Sequence, residues 1–363
     1  MSVFVDELLR ATVAAEASDL HMTAGSTPLV RVHGILKPLP LYDPMTDEDI
    51  RVVLEALVPD QEDLDRFRSQ WELDFAHTIP GLTRFRGNAC MQRGTVKISL
   101  RVLPLEIPTT DDLGLPAVVK TLAEQPKGLV LVCGPTGSGK STTLAAMINH
   151  INTTQRRIIV TVEDPIEYLH HDLNSVIIQR EVGTDTKDFL AALRHALRQD
   201  PDVILVGEMR DQETIALAIT AAETGHLVLS TLHANSTSEA VDRIVDVFPP
   251  TQQSQIRIQL SMSLAGIIYQ VLLPKTGGVG RVAACEVLIA TMAVRNLVRQ
   301  GRSEQLPSYL QTGRSLGMQT LEQAIQELIR QDLVDPDKVA QYLNSYQDLF
   351  NPESSTVGAS DFR

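Results

Sequence analysis

The stretch "GLVLVCGPTGSGKSTTLAAMINHI", residues 128–151, decides the fold. An apolar run leads into Gly134-Pro135-Thr136-Gly137-Ser138-Gly139-Lys140-Ser141-Thr142, and a helical pattern follows. Strand, glycine-rich loop and helix in that order make a P-loop. The glycines let backbone N–H groups converge on phosphate oxygens at the positive end of the helix. Lys140 is expected to reach the β- and γ-phosphates, and the Ser141 hydroxyl to ligate Mg²⁺. The competing reading is a glycine-rich turn that binds nothing. The full pattern in its strand–helix context argues against it. ATP and Mg²⁺ are the expected cofactors.

Around this stretch, "GLVLVC", "RIIVTVED", "DVILVG" and "HLVLSTLH" alternate with helical segments. That alternation predicts an α/β domain with a largely parallel sheet covered by helices. It is assigned to residues 117–350, and after about 255 the chain reads as mostly helical. Upstream, residues 1–105 read as a small α+β domain. Residues 5–16 form a helical pattern, and 18–39 hold strand-like pieces. An amphipathic helix over 46–58 has Ile50, Val53, Leu54 and Leu57 on one face. "TRFRGNACMQRGTVKISLRVLP" (83–104) alternates as a hairpin that turns near Arg93–Gly94. "PLEIPTTDDLGLP" (104–116) carries three prolines, which places a linker at 106–116. Residues 351–363, "NPESSTVGASDFR", read as a disordered tail.

Composition narrows the function. The 363 residues are 43% hydrophobic and carry a net charge of −13, with aromatics at only 4%. This argues against a nucleic-acid binder that stacks bases on aromatic rings. No apolar run approaches the ~18–20 residues that span a bilayer. The N-terminus has early acids and no long apolar run, so it does not read as a signal peptide. Cys90, Cys133 and Cys285 are odd in number and far apart, which fits a reduced, cytoplasmic protein without a zinc ribbon.

The acids that serve the site are sought at carboxyl ends of parallel strands. "PDVILVGEMRD" (201–211) looks like the second nucleotide-binding strand of a P-loop ATPase. The usual Asp is Gly207, leaving Glu208 as the acid at that strand end. It is expected to orient and deprotonate water, or to hold a Mg²⁺-bound water. "RIIVTVEDPIEY" (157–168) offers Glu163, Asp164 and Glu167, with Pro165 breaking the strand. His226 and His233 flank a buried strand and point to opposite faces, a poor metal pair. His233 is the better placed to sense a γ-phosphate. Arg86 and Arg101 lie on strands of the small domain. Arg194 and Arg198 are expected to share a helix face, and Arg210 follows Glu208.

"GPTGSGKST", "TVEDPIEY", "VGEMRD" and "TGHLVLSTLHAN", in this order, resemble the Walker A, Asp box, Walker B and His box of the secretion ATPases of type II and type IV pilus systems. The resemblance covers nearly the whole chain. It implies a PAS-like N-terminal domain, carried by "ASDLHMTAG", followed by a RecA-like P-loop ATPase domain with a helical C-terminal region that includes "GMQTLEQAIQELI" (317–329). It implies that Arg86 and Arg101 approach the γ-phosphate. Gly207 matches the family's own atypical Walker B. The resemblance leaves the general base open between Glu208 and Glu163; Glu208 is favoured, with Glu163 assisting.

A short N-terminal domain, the absence of paired cysteines, and "AVRNLVRQ" (293–300) resemble the retraction subgroup, the PilT-like twitching-motility motors. Gln300 departs from the subgroup's terminal acid, whereas Arg295 and Arg299 are expected on a common functional face. The reading is a cytoplasmic, ring-forming, hexameric ATPase that powers pilus retraction through an inner-membrane platform protein, peripheral to the membrane, with no nucleic acid. The alternatives are a pilus assembly or type II secretion ATPase, a DNA-translocating P-loop ATPase, a small-molecule kinase and a nucleotide-gated scaffold.

Overall fold

The computed structural model describes residues 2–339 except 33, 104, 105, 278, 279 and 338. The tail expected at 351–363 therefore lies outside the described residues. The chain divides into two units. One holds the residues up to Glu106 together with Glu167–Leu169; the other begins at Ile107 and takes up the chain again from His170.

In the first unit, short alternating stretches become antiparallel strands and amphipathic stretches become helices. The elements are α1 (Ser2–Ala14), β1 (Asp19–Thr23), β2 (Leu29–Val32), β3 (Ile35–Pro38), α2 (Asp47–Leu57), α3 (Gln61–Gln70), β4 (Glu72–Ile79), β5 (Thr83–Gln92) and β6 (Thr95–Val102). The strands form one antiparallel sheet in the order β3-β2-β1-β6-β5-β4. The β5–β6 hairpin turns at Arg93 and Gly94, both at positive φ (52° and 83°), as a two-residue hairpin requires. Helix α2 starts at a reciprocal cap between Thr46 and Asp49. It buries Ile50, Val53, Leu54 and Leu57 in a core with Leu20, Met22, Phe85, Ile98 and Leu100. α3 and β4 occupy a stretch that periodicity alone left unassigned.

In the second unit the elements are α4 (Val118–Ala123), β7 (Gly128–Cys133), α5 (Lys140–Thr154), β8 (Ile158–Glu163), β9 (Val176–Glu181), α6 (Phe189–Ala196), β10 (Val203–Val206), α7 (Gln212–Thr224), β11 (Leu227–Leu232), α8 (Thr237–Asp246), α9 (Pro250–Ser263), β12 (Leu264–Pro274), β13 (Arg281–Ile289), α10 (Met292–Gln300), α11 (Leu306–Thr312) and α12 (Leu321–Arg330). The sheet order is β13-β12-β7-β11-β10-β8-β9, parallel from β12 to β9. Every residue of β7, β10 and β11 is buried, the mark of strands covered on both faces. Leu129, Leu131 and Cys133 join a core with residues of α7, α8 and α9, whereas Val130 and Val132 face α4 and α5 on the other side. The P-loop strand β7 thus sits in mid-sheet, between β11 and β12.

Two expectations need correction. The region after 255 is not helical throughout. After α9 come the eleven-residue strand β12 and the nine-residue strand β13, paired antiparallel as a hairpin. A continuous apolar run such as "LAGIIYQVLL" carries no periodicity that separates a buried strand from a buried helix. Nor do Arg194 and Arg198 share a helix face. α6 ends at Ala196, so Arg198 stands in the turn beyond it. Arg194 pairs with Glu213.

Ile267 tests the corrected element. It lies fully buried on β12. Ile267→Ala should lower stability by about 2–5 kcal/mol, the usual cost of such a cavity. Urea unfolding would check this, and a loss below about 0.5 kcal/mol, typical of exposed positions, would mean that β12 is not part of the core.

Candidate active site

The P-loop is shaped by close contacts rather than by its own sequence alone. β7 ends at Cys133, and α5 begins at Lys140 with Gly139 as a left-handed N-cap (φ 86°). Gly134 has φ 143°. A Cβ there would lie 2.3 Å from the Gln270 carbonyl oxygen and 2.8 Å from Ser138 Oγ. No side chain fits, which is why the first loop residue is glycine. Lys140 Nζ donates to the carbonyls of Gly134 and Pro135, each at 2.9 Å. Ser138 is buried and its Oγ has no hydrogen-bond partner among the described residues. Pro135, Thr136 and Gly137 form the turn between, and Ser141 and Thr142 open the first turn of α5, with Ser141 exposed. Such a loop, leading into a helix N-terminus, presents backbone N–H groups to an anion. Beside it lies a cavity of about 460 Å³, lined by Leu113, Gly139, Thr142, Gln270, Leu272 and Lys275 among others. That volume lies within the range of small-ligand pockets.

The acids are set by strand register. β8 and β10 are parallel neighbours with Val162 opposite Val206, so Glu163 and Gly207 leave the sheet side by side. The Gly207 N–H donates to the Val162 carbonyl at 2.8 Å. A Cβ on Gly207 would stand 3.2 Å from that oxygen, 3.4 Å from the Glu163 Cα and 3.6 Å from the Phe189 ring. The residue that departs from the usual Asp is thus packed against the neighbouring strand. From the other side Thr231 Oγ1 donates to the Gly207 carbonyl at 2.6 Å, and Ser230 Oγ to that of Val206 at 2.7 Å. These bonds hold the end of β10 from β11.

Glu208 receives an ion pair from Arg210 Nη2 at 2.7 Å, and His233 Nε2 stands 3.4 Å from its other oxygen. The hydrogen bond and charge of Glu208 hold the Arg210 guanidinium above its usual pKa. His233 is held below the ordinary histidine value, first by burial and then by the Lys140 charge, while Glu208 pulls the other way. Its imidazole is therefore neutral at pH 7. One strand over, Glu163 Oε1 accepts from Thr161 Oγ1 (2.7 Å) and Gln179 Nε2 (3.2 Å). The Gln179 amide oxygen in turn accepts from the His170 N–H at 2.8 Å. Buried Glu181 accepts from the Ile166 N–H at 3.0 Å and pins the loop that follows Asp164–Pro165.

The structure thus brings Lys140, Glu208 and His233 into electrostatic contact and puts Glu163 on the adjoining strand end. Arg86 and Arg101 lie in the first unit, directly opposite each other on β5 and β6. They line a cleft of about 260 Å³ with Asp19, His21, Asp74, Asn88 and Ser99. Arg101 Nε donates to Asp19 at 3.1 Å. His226 is structural, its Nδ1 lying 2.9 Å from the Ala221 carbonyl. Arg295 does not share an open face with Arg299: it donates to the carbonyls of Ser261 and Met262 at the end of α9 and of Ala290 just before α10. Arg299 is exposed and bonds Asn296. Sequence reasoning missed Gln270, Gln179 and Thr231. A glutamine inside the apolar run "IIYQVLL" is the one signal that pointed to Gln270.

A phosphate loop on the central strand of a parallel sheet, with carboxylates leaving two further strands at the same end, defines a RecA-like P-loop ATPase. The chain belongs to the family of type II/IV secretion system proteins, whose profile matches residues 3–332. It is 47% identical over 330 residues to the type IV pilus retraction ATPase PilT of Pseudomonas aeruginosa, covering 91% of this chain and 95% of that one. It is likewise 47% identical to a twitching motility protein of Neisseria gonorrhoeae, covering 91% of this chain and 88% of that protein. A crystal structure of the pilus retraction motor PilT with bound ADP superposes with a TM-score of 0.86 at 46% identity, covering 92% of this chain and 94% of that one.

Two predictions follow from the packing. Gly207→Ala forces its methyl group against paired backbone and should cost about 1–3 kcal/mol, as overpacking does; a thermal midpoint equal to wild type would contradict the contact. His170 is half-buried, and its pKa is lowered to about 4 from 6.5, mainly by the desolvation of its ring. The unfolded chain takes up that proton first, so its contribution is complete above pH 6.5 and is lost as the pH falls towards 4. The full loss amounts to about 3 kcal/mol at ~1.4 kcal/mol per pKa unit. His170→Gln should flatten the fall in urea midpoint between those pH values, and an unchanged slope would show that His170 does not drive it.

Proposed function

We propose that this chain hydrolyses ATP to ADP and phosphate and uses the cycle to power type IV pilus retraction and twitching motility. The observation that carries the retraction reading is its 47% identity, over nearly its whole length, with a pilus retraction ATPase. The loop geometry at Gly134 and Lys140 supports phosphate binding independently of that likeness.

In this reading the backbone of Gly134–Thr142 holds the phosphates and Lys140 neutralises the β- and γ-oxygens. The nucleoside end occupies the cavity beside Thr142. Among the described residues no group of three or more His, Cys, Asp or Glu is placed to hold a metal on its own. That donor set fits Mg²⁺, which binds through substrate phosphates plus one or two protein oxygens. Ser141 supplies its hydroxyl, and Glu208 a carboxylate through water. Bound there, Mg²⁺ supplies charge neutralisation on the phosphates. Glu208 orients the attacking water and takes its proton, Glu163 assists from the neighbouring strand, and neutral His233 reads the presence of the γ-phosphate. Arg86 and Arg101 stabilise the γ-phosphate in the closed motor.

The larger assembly is part of the same proposal. Residues 1–105 act as a PAS-like domain, 106–116 as the linker and 117–350 as the motor domain of a hexameric ring. The ring works at the cytoplasmic face of the inner membrane on a platform protein, without nucleic acid. No helix among the described residues is long and apolar enough to cross a membrane.

Deletion, complemented with wild type, Lys140→Ala or Glu208→Gln, tests the reading. Excess non-retracting pili and no twitching are expected from the deletion and both variants; a deletion strain without pili would indicate assembly instead. In vitro, Glu208→Gln should keep nucleotide binding and lose turnover by about 10²-fold or more, the scale of a lost general base. Near-normal turnover would move the base to Glu163.

A further inference from the structure

We infer that Gln270, on β12, is the residue that sets the shape of the phosphate loop, and so a positioning residue for nucleotide binding. It is a polar side chain, 2% exposed, in the middle of an apolar strand. A buried amide in such a place is costly unless its hydrogen bonds are made, and here both ends are used on the loop and its helix. Nε2 donates to the Ser138 carbonyl at 2.6 Å, and Oε1 accepts from Thr143 Oγ1 at 2.7 Å. The Gln270 backbone carbonyl abuts Gly134, and its Nε2 lies 3.0 Å from where a Gly139 Cβ would be. One residue therefore touches the first glycine of the loop, its last glycine and the first turn of α5.

The consequence is chemical. A carbonyl engaged by an amide N–H is turned away from the anion site, and the peptide N–H groups on the opposite edge are turned toward it. Ser138 is the loop residue whose carbonyl Gln270 holds in this way. Without the Gln270 donor that carbonyl is free to rotate into the loop, where its negative end opposes phosphate. Strand β12 thereby acts on the anion site without contacting the anion. It lies on the side of β7 away from β11, β10 and β8, the last two of which lead to the acids.

This rests on the nucleotide reading above, and the test separates the two. Mg·ADP binding is measured by titration calorimetry, and steady-state ATPase by KM and kcat. Gln270→Met keeps the length and removes both hydrogen bonds. Its Kd and KM should rise about tenfold or more, the scale of unpairing buried polar groups, while kcat at saturation stays within about threefold, because the water-activating acids are untouched. Gln270→Glu keeps the acceptor for Thr143 and loses the donor for Ser138 when ionised. Its protonated form regains that donor. Its Kd relative to wild type should therefore be high at about pH 8 and fall toward unity at about pH 5.5, as a buried carboxyl takes up its proton. A purely structural glutamine would lower the thermal midpoint without moving the Kd ratio or giving it a pH dependence. Wild-type Kd in Gln270→Met, or a pH-independent ratio in Gln270→Glu, overturns the proposal. Should Gln270→Met fail to fold, the Gln270→Glu pH profile alone decides. A wild-type chain that does not bind Mg·ADP overturns the nucleotide reading and this proposal together.

Discussion

Between the first glycine of the phosphate loop and the strand beside it there is no room for a methyl group. The Gly134 Cα lies against the β12 backbone so closely that a Cβ would sit 2.3 Å from the Gln270 oxygen. This contact requires β12 to be a parallel neighbour of β7, with Tyr269 opposite Cys133, so that Gln270 lies just past the end of the P-loop strand. It also requires that strand to carry a side chain able to satisfy the loop from beneath. The apolar layers on both faces of β7 hold the two strands in register. The core is thus not only a source of stability here. It places the backbone atoms on which the anion site is built.

Much of this was legible in the sequence, and for stated reasons. The P-loop is a local device: strand, loop and helix follow one another without a break, and its glycines report a backbone need. β7, β8, β10 and β11 are short apolar runs bounded by turns, and each was read from that pattern. Glu163 and Glu208 followed from the rule that ligands gather at carboxyl ends of parallel strands. What escaped was long-range. β12 follows α9 with no breaking residue, and its apolar run suits a helix as well as a strand. Gln270 and Thr143 are 127 residues apart, so their bond leaves no trace in local spacing. Arg295 reads as a surface cation on an amphipathic helix, but the end of α9 packs beside it and uses its guanidinium to satisfy carbonyls.

The acids show how register substitutes for a missing residue. Where an ordinary site ends one strand in paired acids, this one has Glu163 and Glu208 at the ends of adjacent strands. Glu163 is braced by Thr161 and Gln179, and Glu208 by Arg210 and His233. The two braces come from different elements, so the carboxylates are oriented separately while their backbones stay joined through the Gly207–Val162 bond.

That junction bears on how such a site can change over generations. A glycine codon lies one nucleotide from an aspartate codon, so the more usual acid is a single mutational step away from position 207. The space opposite is taken by the Val162 carbonyl and the Glu163 Cα. A side chain at 207 would therefore press on that backbone, which must give by a few tenths of an ångström to admit it. The packing of the two backbones thus sets a steric cost on any side chain at 207, and glycine is the residue that escapes it.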